Sequence, residues 1–389
     1  MDVKQVYQLL NTMTQEHLGE SVVVKEDLSN TVEIGKSFEN AIGLDNYVRS
    51  LSDHIGRMVF VDRAYEGRGK ILMRDGWEYG SILEKVDAAL PEATENESWE
   101  LQDGQSYDPH IFYKPTVTVQ CWNQRVTYTI KMSFTRKQVK SSFSNATQMN
   151  AFFSMIYTKI ANSMAVKNEA LAMRTMNALI GETVHSDFGT NPISGGSGIK
   201  AVNLLYRYNN EVNTGTALTA DKCLTNADFL RFASKVMKDY IVRLGSYSTL
   251  FNVKGKEKFT TSDKMKMVML SDFKHSADVY LYGGKDEFRS ADYARLPDAD
   301  IIPFWQGTGT DYSFSDVSDI NIKTPSGDDV NVTGVLAFVF DRDAAAITNE
   351  NPTNEIDFTP GASFFTDFYM YDAGYLIDTA ENAVVFFVA

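Results

Sequence analysis

One long helix constrains this 389-residue chain more than any other feature. Residues 146–180 contain neither proline nor glycine, and apolar side chains recur along them at helical spacing. Asn145 with Gln148 three places on forms an Asx variant of the capping box, and Gly181 is expected to end the helix as a left-handed C′ residue. These residues predict about 50 Å of helix at about 1.5 Å per residue. We expect such a helix to be a spine on which other elements pack.

The predicted core of this helix is a set of large apolar side chains. Its members are Phe152, Phe153, Ile156, Ile160 and Met164. Val166 and Met173 widen the apolar face, which indicates burial on more than one side. Lys159, Lys167 and Arg174 make the helix too polar to cross a membrane.

Composition and charge narrow the classes of protein further. A hydrophobic content of 43% and an aromatic content of 12% exclude wholesale disorder, and the length suffices for two or three packed units. The net charge of −14 argues against a general nucleic-acid binder, which needs a basic surface. Cys121 and Cys223 lie far apart without a CxxC motif, which favours free thiols in a reducing cytoplasm. The N-terminus lacks a signal-peptide pattern, and no segment predicts a membrane span.

The first 54 residues predict two helices and an extended segment. Residues 2–18 predict an amphipathic helix that either packs on its own core or docks on a neighbouring subunit. Residues 21–40 have no steady period, which indicates an extended arm. A second helix is expected over about 44–54.

Two alternating stretches predict a long two-stranded ribbon. Val117, Val119 and Cys121 alternate with polar residues, and the same pattern resumes at Val126 after a tight turn at Asn123-Gln124. A lone hairpin is marginal in water, so the ribbon must lie against something, and a partner subunit is one option. The candidate intersubunit residues are Thr116, Thr118, Trp122, Asn123, Gln124, Arg125 and Thr127.

The second half of the chain mixes helices and strands without a regular repeat. Thr225 with Asp228 is expected to cap a strong amphipathic helix that Gly245 ends. Residues 265–271 predict a buried strand, and residues 364–389 predict two closing strands. Because no βαβ repeat appears, the predicted fold class is α+β rather than doubly wound α/β.

Enzyme signatures are missing from the sequence. It contains no phosphate-binding loop, no dinucleotide motif, no GxSxG and no HExxH. The five scattered histidines are expected to be surface or capping residues, and the pairs Asp341/Asp343 and Asp298/Asp300 to lie in solvated turns. The sequence therefore predicts no catalytic, cofactor or metal site. The histidines are His17, His54, His110, His185 and His275.

The order of the predicted parts resembles a known family. Four stretches carry the resemblance: NYVRSLSDHIGRMVFV at 46–61, SSFSNATQMNAFFSMIYTKIANS at 141–163, GVLAFVFDRDAAAI at 334–347 and DFYMYDAGYLIDTAENAVVFFV at 367–388. An arm, a projecting loop, one long helix, a mixed domain and a returning strand follow each other as in the major capsid proteins of tailed bacteriophages, the Hong Kong-type (Johnson) shell fold. The chain is most similar to the phi-twenty-nine-type podovirus head proteins.

The resemblance implies a domain plan. It implies an N-terminal arm at 1–45, an extended loop over the adjacent subunit at 64–135, an axial domain at ring centres at 186–345, and a peripheral domain at 46–63, 136–185 and 346–389. The peripheral domain would contain the spine helix, and the final strands would rejoin its sheet.

The resemblance also implies a function. The chain is expected to self-assemble through pentamers and hexamers into an icosahedral or prolate shell that encloses phage double-stranded DNA, without catalysis or cofactor. Expected partners are copies of itself, a scaffolding protein during assembly, a portal at one vertex and DNA held non-specifically, with no membrane. The expected locations are the host cytoplasm before assembly and the virion capsid after it. Two alternatives stay open: an encapsulin-like nanocompartment shell and a soluble α+β enzyme.

The acidic composition adds a hypothesis about the DNA. A chain with excess negative charge can enclose a polyanion without adhering to it, because non-specific adhesion needs basic patches. A strongly basic inner wall would contradict this hypothesis.

Overall fold

The structure is a computed structural model. It describes residues 3–18, 24–41, 46, 48, 50–51, 71–74, 83–88, 91, 103–104, 110, 112, 114, 116–142, 144–189, 196–213, 215–282, 296–306, 317–323 and 327–389. The helices are α1 Val3–Leu18, α2 Thr31–Ala41, α3 Arg136–Ser142, α4 Ala146–Phe188, α5 Leu204–Glu211, α6 Ala220–Cys223, α7 Ala227–Leu244 and α8 Ser271–Tyr282. The strands are β1 Leu83–Ala88, β2 Val117–Trp122, β3 Arg125–Thr135, β4 Ala201–Asn203, β5 Met265–Leu270, β6 Asp300–Ile302, β7 Ile320–Lys323, β8 Asp329–Val332, β9 Val335–Asp341, β10 Ala345–Thr359, β11 Phe364–Ile377 and β12 Ala383–Phe387.

The chain divides into two compact units, each built from separate segments. Unit 1 comprises Met1–Gly76, Arg125–Met176 and Ala346–Tyr375. Unit 2 comprises Trp77–Gln124, Asn177–Ala345 and Leu376–Ala389. The four-part domain plan drawn from the resemblance stays a prediction.

The N-terminal residues of unit 1 form two packed helices. α1 buries Leu10 and Met13 on the predicted apolar side and packs on α2, so it lies on the core of its own chain. α2 takes up the second half of the stretch 21–40 that was expected to be extended, and it buries Ile34 and Phe38 one turn apart. Since two apolar residues at i and i+4 suffice to give a short helix one buried face, the expected extended conformation is wrong for residues 31–40.

Only part of the second predicted helix can be compared with the structure. Of the residues 44–54, the structure describes 46, 48, 50 and 51, and all four are helical. The rest of this expected helix lies outside the described residues.

The sheet of unit 1 has three strands in the order β10–β11–β3. β11 and β3 run antiparallel, from the pair Phe364/Thr135 to the pair Gly374/Arg125. The Ser133 and Thr366 hydroxyls meet at 3.0 Å across this pairing. β11, the first of the two expected closing strands, therefore lies in the sheet of unit 1.

The apolar face of α4 lies on this sheet. The structure places all five predicted core residues of α4 at 9% exposure or less. The Phe152 ring packs edge-on against Phe134 of β3 with ring centroids 5.8 Å apart, and Phe134 lies 5.9 Å from Phe365 of β11. The spacing that predicted the helix thus also selects the face that it buries.

α4 begins at the predicted cap and ends later than expected. The Gln148 N–H donates to Asn145 Oδ1 at 2.8 Å, which is the predicted Asx cap. Gly181 lies inside the helix, and the left-handed glycine is Gly189, with φ of +66° and an N–H that donates to His185 O at 2.8 Å. One internal glycine costs only about 1 kcal/mol relative to alanine. Burial of Val184 beyond it offsets that cost.

Unit 2 contains a five-stranded mixed sheet in the order β4–β12–β9–β5–β6. β12 runs parallel to β4 and antiparallel to β9, while β5 runs antiparallel to β9 and parallel to β6. Every residue of β9 and β12 is buried. Strands covered on both faces are continuous apolar runs, which explains the sequences VLAFVF and AVVFF.

The last strand therefore does not rejoin the sheet that holds β11. β11 alternates between buried and half-buried residues, as a strand in a sheet covered mainly on one face does, whereas β12 is apolar throughout. The expectation that both closing strands enter the peripheral sheet is wrong for β12. The mixed sheets and helices confirm the α+β class.

α7 covers the sheet of unit 2. The Tyr240 ring packs edge-on against Phe386 of β12, with centroids 5.5 Å apart. The helix ends before Gly245, as predicted, but its cap is Asn226, whose Oδ1 accepts the Phe229 N–H at 3.0 Å. The expected cap at Thr225 is one residue too early, because Asn226 has the extended backbone that an N-cap needs. Among the described residues, no helix has the length and apolarity that crossing a membrane requires.

Ile160→Asp should destabilise the subunit, because Ile160 is 1% exposed and the new carboxylate would be buried without a partner. We expect the free energy of unfolding to fall by about 3 kcal/mol or more, measured by urea denaturation of the unassembled chain. Asn162→Asp, at an exposed position of the same helix, is the control and should change it by less than about 0.5 kcal/mol. Equal stability of the two variants would refute the buried position of Ile160.

Gly334→Ala should also destabilise the chain. Gly334 has φ of +68°, and a Cβ there would lie 2.0 Å from the backbone oxygen of Val388. We expect a loss of about 2 kcal/mol or more in the same measurement. Gly361→Ala is the control, since a Cβ there meets no atom within 4 Å. A wild-type unfolding curve for Gly334→Ala would contradict the close approach of the two chain segments.

Candidate functional site

The structure pairs β1 with β2 as an antiparallel two-stranded sheet, named the ribbon from here on. Lys85 lies opposite Gln120, Val86 opposite Val119, and Asp87 opposite Thr118. Because side chains alternate along a strand, the ribbon has two chemically different faces. By register, the inner face carries Leu83, Lys85, Asp87, Thr118, Gln120 and Trp122, and the outer face carries Glu84, Val86, Ala88, Val117, Val119 and Cys121.

Lys85 anchors the inner face to a pair of carboxylates in unit 2. Its Nζ donates to Asp378 Oδ2 at 2.6 Å and to Glu381 Oε1. The Asp378 side chain is fully buried, and its other oxygen accepts the Ala380 N–H at 2.9 Å. Burial lowers the pKa of Lys85, but the hydrogen bonds and charges of the two carboxylates outweigh this and set the pKa above its usual value. Lys85 therefore stays charged.

Asp87 anchors the same face through charges of the opposite sign. Its carboxylate lies 3.0 Å from Lys258 Nζ and 3.4 Å from Lys256 Nζ. Burial raises the pKa of Asp87, but the two lysines outweigh it and hold the pKa below its usual value. Lys258 also lies 3.4 Å from Glu381, so the two anchors share one network of alternating charge.

Two further hydrogen bonds complete the anchoring of the ribbon. Trp122 Nε1 donates to the Ile377 carbonyl at 3.1 Å, and Lys254 Nζ donates to Gln120 Oε1 at 3.1 Å. Both lie on the inner face. This face is thus committed to contacts within unit 2.

Most of the outer face of the ribbon, from the pair Val86/Val119 to the pair Ala88/Val117, is apolar and exposed. Val86 is 63% exposed, Val117 50% and Val119 51%, and Cys121 beside them is also exposed. Exposed valines on adjacent strands form a continuous apolar surface, which marks a site of protein contact more often than a solvated face does. The outer face can therefore bind an apolar surface of another protein.

A cavity of about 510 Å³ lies beside the inner face within unit 2. Asp341 in its wall is 3% exposed, and burial is the main reason that its pKa is raised. Lys264 contacts Asp343 at 3.0 Å, so charges of both signs line the wall. Within the described part of the chain, no group of three His, Cys, Asp or Glu residues has the arrangement of a metal site. The lining residues are Asp87, Ala88, Thr116, Thr118, Tyr247, Lys256, Glu257, Lys258, Phe259, Thr261, Lys264, Asp341, Asp343 and Glu381.

The predicted hairpin of 117–122 with 125–132 is wrong. β2 pairs with β1 and β3 pairs with β11, so Asn123-Gln124 connects strands of two different sheets. Alternation marks both stretches as strands, but two strands close in sequence need not pair when more distant partners complete larger sheets. The signal for the true partner was the run LEKVDA at 83–88, whose last four residues alternate between polar and apolar as those of β2 do.

The candidate intersubunit residues are divided between the two sheets. Thr118 and Trp122 lie on the inner face, Thr116 lines the cavity, and Asn123 and Gln124 are exposed in the connection. Arg125 pairs with Glu350 at 2.9 Å, and Thr127 Oγ1 donates to Asp372 at 2.7 Å, both within unit 1. Their intersubunit role stays a prediction.

The candidate chemical groups are likewise held in local contacts. The Asp343 N–H donates to Asp341 Oδ1 at 2.8 Å, which is a turn, but Asp341 is buried rather than solvated as expected. His185 Nε2 lies 3.4 Å from Asp328 Oδ2. His54 lies outside the described residues.

Comparison with known protein families identifies the family to which the chain belongs. The family model described as Phi29-like phage major capsid protein matches residues 10–387, nearly the whole chain. The chain belongs to this family. The comparison with curated proteins finds no match.

Several solved structures resemble the chain at low sequence identity. The capsid structure of Staphylococcus phage Andhra has 12% identity and a TM-score of 0.47, covering 82% of this chain and 83% of that chain. A chain in the structure of head fiber and inner core protein gp22 of native bacteriophage P68 has 12% identity and a TM-score of 0.49, covering 83% and 85%. The capsid structure of the cyanophage P-SCSP1u has 10% identity and a TM-score of 0.44, covering 82% and 86%.

Membership of the major capsid family gives the chain a structural function. It is a capsid protein that self-assembles into the shell of a phage virion. Neither the nanocompartment nor the enzyme alternative finds support in the comparisons. The site that matters is then a surface for protein contact rather than a pocket for a substrate.

Lys85→Met should destabilise unit 2, because it leaves the buried Asp378 carboxylate without its cation. We expect a loss of about 2 kcal/mol in the free energy of unfolding, reduced from the value for a fully buried pair because Lys85 is partly exposed. The double variant Lys85→Met with Asp378→Asn should recover part of this loss, which measures the coupling of the two groups.

Arg231→Met is the matched control for the anchor. Its pair with Asp228 is exposed on both sides, so its removal should cost less than about 0.5 kcal/mol. If Lys85→Met and Arg231→Met unfold alike, the inner face is not anchored by this ion pair.

Proposed function

We propose that the shell consists of pentamers and hexamers of this chain, closes as an icosahedral or prolate head, and encloses phage double-stranded DNA. Shell closure needs heterologous contacts repeated around rings. The observation that carries the proposal is the outer face of the ribbon, an exposed apolar surface on a strand pair whose other face is fixed by charge. We propose that this outer face lies on a neighbouring copy.

Anchoring of the inner face supports this role of the outer face. Association costs free energy when a contacting segment must first be ordered. Lys85 and Asp87 hold the ribbon in one orientation before any neighbour binds. Each contact can then be modest, and many copies acting together give a stable particle.

The domain roles follow the family plan with one change. Residues 186–345 are proposed as the axial domain at ring centres, and β12 joins the sheet of this region rather than a peripheral sheet. Thr116, Asn123 and Gln124 are exposed and are retained as candidate contacts with a neighbour.

The remaining partners are proposed from the family resemblance. They are a scaffolding protein during assembly, a portal at one vertex and DNA held without sequence preference. The subunit is proposed to reside in the host cytoplasm before assembly and to have no catalytic activity. Electron microscopy of particles made with and without a scaffolding protein, followed by nuclease digestion, tests the shell and its DNA content. Nuclease-protected duplex inside closed particles is the expected result, and particles that never hold nucleic acid would contradict DNA enclosure.

Val86→Asp combined with Val119→Asp should impair shell formation. The two valines lie opposite each other on the outer face, and two carboxylates there would be buried against an apolar neighbour. We expect the yield of closed particles to fall roughly tenfold or more, because every copy in the shell repeats the defect. Like charges on opposite strand positions repel, but both positions are exposed, so the free energy of unfolding of the unassembled chain should fall by no more than about 1 kcal/mol.

Val242→Asp is the matched control, because Val242 is an exposed valine on α7, away from the ribbon. It should assemble as the wild-type chain does. Normal particles from the double ribbon variant would refute the intersubunit role of the outer face.

A further inference from the structure

Positive charge is concentrated in one part of this acidic chain. Residues 125–176, named the basic segment, lie in unit 1 and hold eight lysines and arginines against one acidic residue, Glu169. Of the 37 basic and 51 acidic residues in the chain, 29 and 50 lie elsewhere. The net charge of −14 is therefore the sum of +7 in the basic segment and −21 in the rest of the chain.

Three of these cations lie on the exposed side of α4. Lys159, Lys167 and Arg174 are all exposed, and eight and seven residues separate them. At 3.6 residues per turn they fall within an arc of about 80°. The same stripe is buried nearer the start of the helix, where Phe153 and Ile160 precede Lys167 and Arg174 at intervals of seven residues. The three cations form one exposed surface, named the basic face.

The basic face has no intrahelical carboxylates to neutralise it. The residues three and four places before and after Lys159, Lys167 and Arg174 are all uncharged. Helices of unit 2 differ, since Arg207 pairs with Glu211 and Arg231 with Asp228 at these spacings. A row of like charges without such pairs does not stabilise the helix, and its charge stays available to an anionic partner.

We propose that the basic face binds the phosphate backbone of the double-stranded DNA inside the shell. This inference rests on the proposed function of enclosing DNA. The face spans about 22 Å along the helix at about 1.5 Å per residue. Duplex DNA carries one charge per about 1.7 Å of its axis, so a rigid row of cations meets phosphates in any register without reading the sequence.

The chemistry of the face favours duplex phosphate over a single strand. Proteins that hold single strands stack bases on aromatic side chains, and no aromatic residue is exposed on α4 within the basic segment. Two of the three cations are lysines, which bind phosphate as point charges and therefore need no fixed arrangement of the phosphates. The occupant that fits is therefore a DNA duplex.

This inference reverses the expectation that acidic charge keeps the shell from adhering to DNA. Three cations per copy give a weak contact that salt disrupts easily. Because the shell repeats the contact in every copy, weak individual binding still holds the outer layer of duplex. The rest of the chain, with its excess of acidic residues, adds no such attraction.

The test compares two triple variants of equal charge change. Lys159→Gln, Lys167→Gln and Arg174→Gln remove the basic face, and Lys222→Gln, Lys235→Gln and Lys323→Gln remove three exposed lysines of unit 2. Binding of the unassembled full chain to a short labelled duplex is measured at several salt concentrations. We expect the first variant to reduce the slope of log affinity against log salt by about 2 to 3, and the control to keep the wild-type slope. Equal slopes for the two variants would overturn the proposal.

A polyglutamate probe distinguishes DNA from an acidic protein. If the first variant loses polyglutamate binding but keeps duplex binding, the face is a protein site and the proposal is wrong. Thermal unfolding of both variants should match the wild-type chain, which excludes misfolding as the cause of lost binding. Because duplex binding is read on the unassembled chain and shell formation by electron microscopy, failure of the DNA surface and failure of the proposed function are distinguishable.

Discussion

The buried carboxylate of Asp378 sets the orientation of the ribbon and, with it, the chemistry that unit 2 presents. A fully buried carboxylate needs a cation within reach, and Lys85 of β1 donates to it. Since side chains alternate along β1, docking Lys85 inward turns Val86 outward. Asp87 repeats the inward contact with Lys256 and Lys258 two residues later. One ionic network therefore holds the ribbon with exposed valines on its other face.

The two units present different chemistry to their surroundings. The ribbon of unit 2 presents valines, and an apolar surface gains free energy only by excluding water against a complementary surface. The basic face of unit 1 presents flexible cations, which attract a polyanion while staying hydrated. The two contacts that we propose therefore respond differently to salt, which weakens the contact with DNA and not the apolar contact between copies. Their separation onto two units lets each be altered without the other.

Local pattern was enough to predict the elements of this fold but not their pairing. Helical spacing identified α4, its cap at Asn145 and its buried residues, because these depend on neighbours within a turn. The partner of β3 is β11, more than two hundred residues away, and alternation carries no information about which of several strands will pair. Gly181 failed as a helix end for a similar reason, since the burial of Val184 that sustains the helix is tertiary. Arg125 and Thr127 were chosen as candidates because β2 was expected to pair with β3. They lie in the sheet of unit 1 instead, opposite residues of β11.

The net charge of the chain was a poor guide to the charge of any one surface. The clustering of lysines and arginines in one segment could be read from the sequence, but the prediction about DNA used only the total. Net charge governs solubility and long-range repulsion, but screening limits an exposed charge to roughly 10 Å in ordinary salt. That distance is shorter than the about 22 Å of the basic face itself. A phosphate beside α4 therefore responds mainly to charges within that distance, such as those of Lys159, Lys167 and Arg174. The net charge of all 389 residues conceals a segment with eight basic residues and one acidic residue. For a molecule that touches its partner at one face, the sign that matters is the sign of that face.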